Sequence, residues 1–144
     1  MAIYKNRDWA VKFHESKERF KVLVVHRRAG KTTAALAQLI MDSKDPNKRF
    51  GFIAPTYKQA KNVAWDILKG MAIKIPGTIF NESELSSKFY NGSKITLYGA
   101  DNPDSLRGMG FDGVVFDEYS QQPSNIFTEI IRPALADKKG YAIW

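Results

Sequence analysis

The chain has 144 residues, 44% hydrophobic and 26% charged, the balance of a globular domain that buries about two-thirds of its unfolded surface rather than of a disordered tail or a fibrous repeat. It has no cysteine, which excludes a disulfide framework and a thiolate zinc site and leaves oxygen as the natural ligand for any metal. The net charge of +7 is lopsided, with 13 basic and 5 acidic residues in 1–60 against 9 and 10 in 61–144, which suits either an anionic partner near the N-terminal part or a solvated basic face.

There is no run of 18 apolar residues, and Met1 to Lys12 carries charges where an export signal would be apolar, so neither a membrane span nor Sec-type export is expected. The first apolar burst, Phe20 to Val25 (FKVLVV), is short, continuous and β-branched, and predicts a strand buried on both faces of a parallel sheet. Lys31 to Asp42 (KTTAALAQLIMD) is rich in helix formers and apolar almost all round, predicting a buried helix that Pro46 forbids from continuing. Arg49 to Ala54 repeats the short strand. After Pro55, Thr56-Tyr57-Lys58-Gln59 has capping-box spacing and opens a helix with Ala60, Val63, Ala64, Ile67, Leu68 and Met71 inward, and Lys58, Lys61, Asn62 and Lys69 outward.

Between Leu85 and Tyr98 the period changes to two around Asn91-Gly92, the mark of a hairpin. A three-residue loop, Tyr90 to Gly92, pairs Ser87 with Ile95 and puts Leu85, Phe89, Ile95 and Leu97 on one face, whereas a two-residue loop mixes polar and apolar on both. A glycine-rich connector, Leu106 to Gly113, then leads into a third buried strand, Val114-Val115-Phe116. Apolar pairs at Ile126/Phe127, Ile130/Ile131 and Ala134/Leu135 predict a third helix that Pro133 breaks or kinks, and Tyr141 to Trp144 begins another strand. No linker or repeat divides 1–144, which reads as one domain.

Strands alternating with helices imply parallel β-α-β units, whose ligands sit at the carboxyl ends of the strands. Gly30-Lys31-Thr32 falls there, after the first strand and opening the first helix, in the context of a phosphate-binding loop. Backbone amides of Ala29 to Thr33 would converge on a β-phosphate, Lys31 would bridge β- and γ-phosphates, and the Thr32 hydroxyl would ligate Mg²⁺. Asp117-Glu118 ends the third strand and supplies one carboxylate for the metal's water shell and a second to polarise an attacking water. Taken singly, Gly30-Lys31-Thr32 also reads as a helix start with an exposed lysine, and Asp117-Glu118 as a solvated acidic pair. Together, in this order at strand ends, they point to nucleotide hydrolysis.

These residues resemble the N-terminal ATPase region of the large terminase subunit of tailed phages. The likeness is carried by His26-Arg27-Arg28-Ala29-Gly30-Lys31-Thr32-Thr33, a Walker A variant with an arginine inside the loop. It is also carried by Ala54 to Lys61 (APTYKQAK), Ser105-Leu106-Arg107-Gly108, and Val114 to Tyr119 (VVFDEY), within a span from about Phe20 to Trp144. The resemblance implies an α/β P-loop NTPase of three α/β/α layers, with a mostly parallel sheet of the additional-strand, catalytic-glutamate type plus a β-hairpin. It also implies ATP and Mg²⁺ as cofactors, double-stranded DNA as the substrate that is pumped, a portal protein and a small terminase subunit as partners, and a homo-oligomeric ring in the cytoplasm of an infected or lysogenic host. By it, Lys31 and Thr32 take the Walker A roles with Arg28, Ala29, Gly30 and Thr33 as loop contacts, Asp117 the metal role and Glu118 that of catalytic glutamate. Arg27 matches a loop arginine that senses the γ-phosphate. Arg107 resembles an arginine inserted into a neighbour's site, or else balances Asp101, Asp104 or Asp112 as a loop cation.

Three departures from the pattern stand out. Val25 occupies the position of the usual first glycine of Walker A, no glutamine precedes Gln38 to read adenine, and the family's coupling motif and nuclease domain would lie beyond Trp144. Tyr4, Arg7 or Trp9 can cover a base by stacking, or Tyr4 and Trp9 can be core or edge aromatics. A helicase-like ATPase is the nearest rival, although Asp117-Glu118-Tyr119-Ser120 lacks the ending of those enzymes; a non-catalytic nucleotide- or DNA-binding module is the rival from another class. The chain alone is expected to be weakly active or inactive, because Tyr141 to Trp144 would leave a sheet edge open and an isolated site would lack Arg107 from a neighbour.

Overall fold

A computed structural model describes residues 4–26 and 28–144. In chain order these residues form α1 (Asp8–Glu15), β1 (Phe20–Lys21), α2 (Lys31–Asp42), β2 (Arg49–Ala54), α3 (Tyr57–Ala60), a π-helical turn (Lys61–Trp65) and α4 (Asp66–Ala72). There follow β3 (Ile79–Asn81), β4 (Ser86–Lys88), β5 (Lys94–Gly99), β6 (Gly113–Phe116), a π-helical segment (Ile126–Ile131), α5 (Arg132–Ala136) and β7 (Tyr141–Ile143). One seven-stranded sheet runs in the order β1-β7-β6-β2-β5-β4-β3. The five strands from β1 to β5 in that order are parallel, and β4 and β3 are added antiparallel.

The central parallel strands are largely apolar, as in β6 (Gly113–Phe116), buried at every position, because each face meets its own helical layer. Phe50, Phe52, Ile95, Leu97, Val115 and Ile143 face a core shared with α1, α2 and the α3–α4 helix. The alternate residues Ile53, Val114, Phe116 and Ala142 face a second core with Leu106, Phe111, Ile126, Ile131 and Leu135. This is the expected three-layer α/β/α arrangement, with the hairpin in the register read from the sequence. Ser87 pairs with Ile95, Phe89 N–H donates to the Ser93 carbonyl at 2.8 Å, and Gly92 closes the three-residue loop at φ 90°, a conformation that favours glycine.

Three expectations are corrected. The Phe20–Val25 burst forms a ladder only over Phe20–Lys21 and is not buried on both faces. Phe20, Val22 and Val24 are 46, 70 and 90% exposed, because β1 is the sheet edge and, among the described residues, no helix covers that face beyond Phe127. Conversely, the final strand is no open edge: β7 lies inside the sheet between β1 and β6, and its burial is complete at Ala142 and Ile143. On the second helix, Val63 is exposed and Trp65 buried, because the π turn over Lys61–Trp65 adds a residue to the turn and shifts the apolar phase. Pro133 lies in the first turn of α5, where the helix has just changed from π-type to α-type. Helix α1 and strand β3 were not foreseen. No helix among the described residues is long and apolar enough to cross a membrane.

Candidate nucleotide site

The first strand turns into α2 through Arg28, Ala29 and Gly30. Gly30 is the N-cap at φ 84° and has no capping side chain, so the first amides of α2 and the positive end of its dipole are turned toward the loop, the arrangement that holds a phosphate. Arg28 also has positive φ, 63°. The loop is braced from outside by α1. The Trp9 indole N–H donates to the Ala29 carbonyl at 3.0 Å, and Ala29 is only 3% exposed. The Arg7 side chain lies so close to Gly30 that a methyl group there would meet its Nε at 3.1 Å. Trp9 therefore carries a structural role in the loop, and Tyr4 packs edge-on against His14 at 5.6 Å. Both are the core or edge aromatics that the sequence offered as the alternative to base stacking, packed partly buried against the main core; the bond from Trp9 to the loop carbonyl has no periodicity to reveal it. Arg27 lies outside the described residues.

The carboxylates approach from β6, separated from β1 only by β7. Asp117 N–H donates to the Ile53 carbonyl at 2.9 Å, continuing the ladder one residue beyond β6. The chain then reverses at Glu118, whose left-handed conformation, φ 49° and ψ 52°, costs on the order of 1–3 kcal/mol for a non-glycine residue. What stabilises this turn was missed in the sequence. Gln122, 8% exposed, donates through Nε2 to the carbonyls of Asp117 and Ile53, each at 2.9 Å. Gln121 N–H donates to the Glu118 carbonyl at 2.9 Å.

Lys31, Thr32, Asp117 and Glu118 line one pocket of about 220 Å³, together with Tyr119, Ser120 and Trp144. A groove of about 1100 Å³ lies elsewhere, at the opposite ends of the strands, and none of the sequence-predicted site residues lines it. Arg107 does not line the small pocket either. It follows β5, which is four strand spacings, roughly 19 Å, from β1, and its Nε pairs with Asp104 at 3.2 Å while remaining half exposed. Of the three aspartates considered for it, Asp104 is the partner.

Burial, and then the neighbouring Glu118 charge, raise the pKa of Asp117 above the ordinary aspartate value, and Lys31 only partly offsets them. Two carboxylates facing one lysine in a half-closed pocket are short of positive charge, which is what a hard cation would supply. Among the described residues no group of three or more His, Asp or Glu could hold a metal, so an ion here fits only with a hydroxyl, water and phosphate oxygens completing the shell. A folded-state pKa above the unfolded one means that Asp117 costs nothing at pH values below its unfolded pKa and destabilises increasingly as pH rises through the folded pKa. Asp117→Asn is accordingly expected to raise the thermal midpoint of the ligand-free protein at pH 7, with the gain vanishing toward pH 3. Thermal unfolding at both pH values checks it, and an equal or lower midpoint at pH 7 counts against the charge argument.

Residues 23–142 match the family described as terminase large subunit, T4likevirus-type, N-terminal. The chain is 25% identical to the terminase large subunit of Thermus phage G20c over 162 residues, covering 97% of this chain and 33% of that one. It superimposes on the large terminase ATPase domain of Thermus phage P74-26 with a TM-score of 0.82 at 26% identity, over 97% of this chain and 64% of that one. The fold also recurs, at 18% identity and a TM-score of 0.75, in the large terminase of another thermophilic bacteriophage in complex with ATP-γ-S, over 95% and 36% of the two chains. The chain thus spans about a third of the length of the curated relatives it matches.

Proposed function

The chain belongs to the terminase large-subunit family, and on that premise we propose that it is the ATPase segment of a phage DNA-packaging motor, hydrolysing ATP to move double-stranded DNA into a capsid. The observation that carries this reading is the convergence of Lys31, Thr32, Asp117 and Glu118 in one pocket at the carboxyl ends of β1 and β6. The amides opening α2 bind the β-phosphate, and Lys31 reaches the β- and γ-phosphates. The Thr32 hydroxyl and Asp117 would hold Mg²⁺, which when bound neutralises charge on those phosphates. Glu118 accepts a proton from the attacking water, and its position on a left-handed turn directs the carboxylate away from the β6 ladder and into the pocket. By the family resemblance, Arg27 is the loop arginine that senses the γ-phosphate and Arg28 is a contact of the loop. The ATP-γ-S complex of the thermophilic phage's large terminase supports the nucleotide assignment by likeness of fold.

Arg107 completes the site from a neighbouring subunit in a ring. Its exposure and its absence from the lining of its own pocket favour action in trans, for which its ion pair with Asp104, the contact of a loop cation, would have to open. In the assembled motor the portal protein and the small terminase subunit are the partners. The test is phosphate release from Mg-ATP with and without duplex DNA, across protein concentration and in parallel with a chain extended beyond Trp144. Turnover that depends on Mg²⁺ and rises with DNA is expected. Nucleotide binding without any turnover, in the presence of DNA and at every concentration and chain length, would favour the non-catalytic module.

A further inference from the structure

The pocket has one wall that no phosphate or metal chemistry calls for, and it is aromatic. Trp144 follows β7, where its N–H donates to the Lys21 carbonyl at 2.8 Å and its carbonyl accepts from Leu23 N–H at 2.7 Å. It is therefore clamped to the strand that carries the phosphate loop. Its indole stacks on Phe116, with centroids 5.6 Å apart and planes 15° from parallel. It meets Tyr119 edge-on at 6.1 Å and Phe127 at 5.0 Å, and Phe116 and Tyr119 touch each other at 5.1 Å. Phe116 immediately precedes Asp117, and Tyr119 immediately follows Glu118. The two carboxylates thus form the crest of a four-residue turn whose two feet both rest on one indole.

From this geometry we infer that Trp144 is a positioning residue for Glu118: it holds the carboxylate turn at a fixed distance from the phosphate loop by bridging β6 to β1. The inference rests on the reading of the pocket as an ATP-hydrolysing site. A left-handed Glu118 relaxes toward ordinary backbone conformations unless its neighbours are held, and one missing foot lets the carboxylate drift. Displacements of about 1 Å cost on the order of 100-fold in rate. Binding, in contrast, is carried mainly by the α2 amides and Lys31 on the other side of the pocket, and the turn would contribute to it only through Asp117, which directly follows the β6 ladder. Aromatic pairs of this kind prefer offset-stacked and edge-to-face geometry, so a phenyl ring can substitute and a branched aliphatic side chain of similar bulk cannot.

The experiment compares kcat, the Kd for ATP-γ-S and the thermal midpoint of the unaltered protein, Trp144→Phe and Trp144→Leu, assayed well below the lowest midpoint. Trp144→Phe is expected to keep kcat within about threefold, and Trp144→Leu to lose about 10- to 100-fold in kcat with Kd changed less than about threefold. Wild-type kcat per folded molecule in Trp144→Leu, or equal losses of kcat and affinity that track the midpoint, would mean that the indole only packs the core, and the inference falls. Identical phosphate release by the unaltered protein and Lys31→Ala would instead overturn the functional reading, and this inference with it.

Discussion

Glu118→Gln is expected to leave Mg-ATP binding intact and to lower turnover by about 10²- to 10⁴-fold, the usual worth of a general base. Lys31→Ala is expected to abolish tight binding and turnover together. The difference follows from what each side chain faces. On the proposed reading, Lys31, in the first turn of α2, would meet the phosphates together with the helix amides in both the ground and transition states. Glu118, entering from the end of β6, would act on water alone. Its glutamine analogue has the same length and the same turn, so the Gln122 bonds to Asp117 and Ile53 have no reason to change. Titration with a nucleotide and a phosphate-release assay separate the two. Unchanged turnover in either variant would remove the pocket from the chemistry.

Arg107→Ala is expected to cost on the order of 10³ to 10⁵ in turnover, the range found for arginines that stabilise phosphoryl transfer, with no loss of stability. Its ion pair with Asp104 is largely solvated, and exposed pairs contribute about 0–1 kcal/mol. Mixing supplies the sharper result. Arg107→Ala and Glu118→Gln chains, each inactive alone, should regain turnover when combined, because some interfaces then join an intact Glu118 to an intact Arg107. Restoration cannot occur if the arginine serves its own subunit. A mixture of folded, associated chains that stays inactive would return Arg107 to the role of a loop cation.

How much of this was readable from residues alone depended on whether the signal was local. The capping box was legible because Thr56 and Gln59 are three residues apart and bond within the same turn: Gln59 N–H donates to Thr56 Oγ1 at 3.0 Å. The hairpin register was legible because one choice gathers Leu85, Phe89, Ile95 and Leu97 on a single face. The convergence of Lys31 with Asp117 was legible from strand-end logic, without knowledge of strand order. The order itself was not. An apolar run looks the same at an edge as in the middle of a sheet, which is why Phe20–Val25 was expected to be buried and Tyr141–Trp144 to be exposed, the reverse of their places. Val63 and Trp65 exchanged sides because a π turn leaves no mark in a 3.6-residue pattern. The bonds of Gln122 and Trp9 escaped notice because their partners, on Asp117, Ile53 and Ala29, are backbone carbonyls, which every residue has.

The position of β1 ties two equilibria together. Among the described residues, the phosphate loop hangs from a strand with one paired edge, toward β7, and with Val22 and Val24 exposed. Such a segment sits at the low end of the local unfolding scale, well below the doubly paired β2 and β6. A nucleotide that grips the loop must therefore bear the cost of ordering β1, and any strand or apolar surface that docks along its free edge bears the same cost beforehand. By linkage the two events help one another to the same extent. Edge pairing at β1 should tighten ATP binding, and ATP should in turn favour edge pairing. Amide exchange in residues 21–25, slowed by ATP-γ-S while that of β2 hardly changes, would be the measurable trace of that reciprocity.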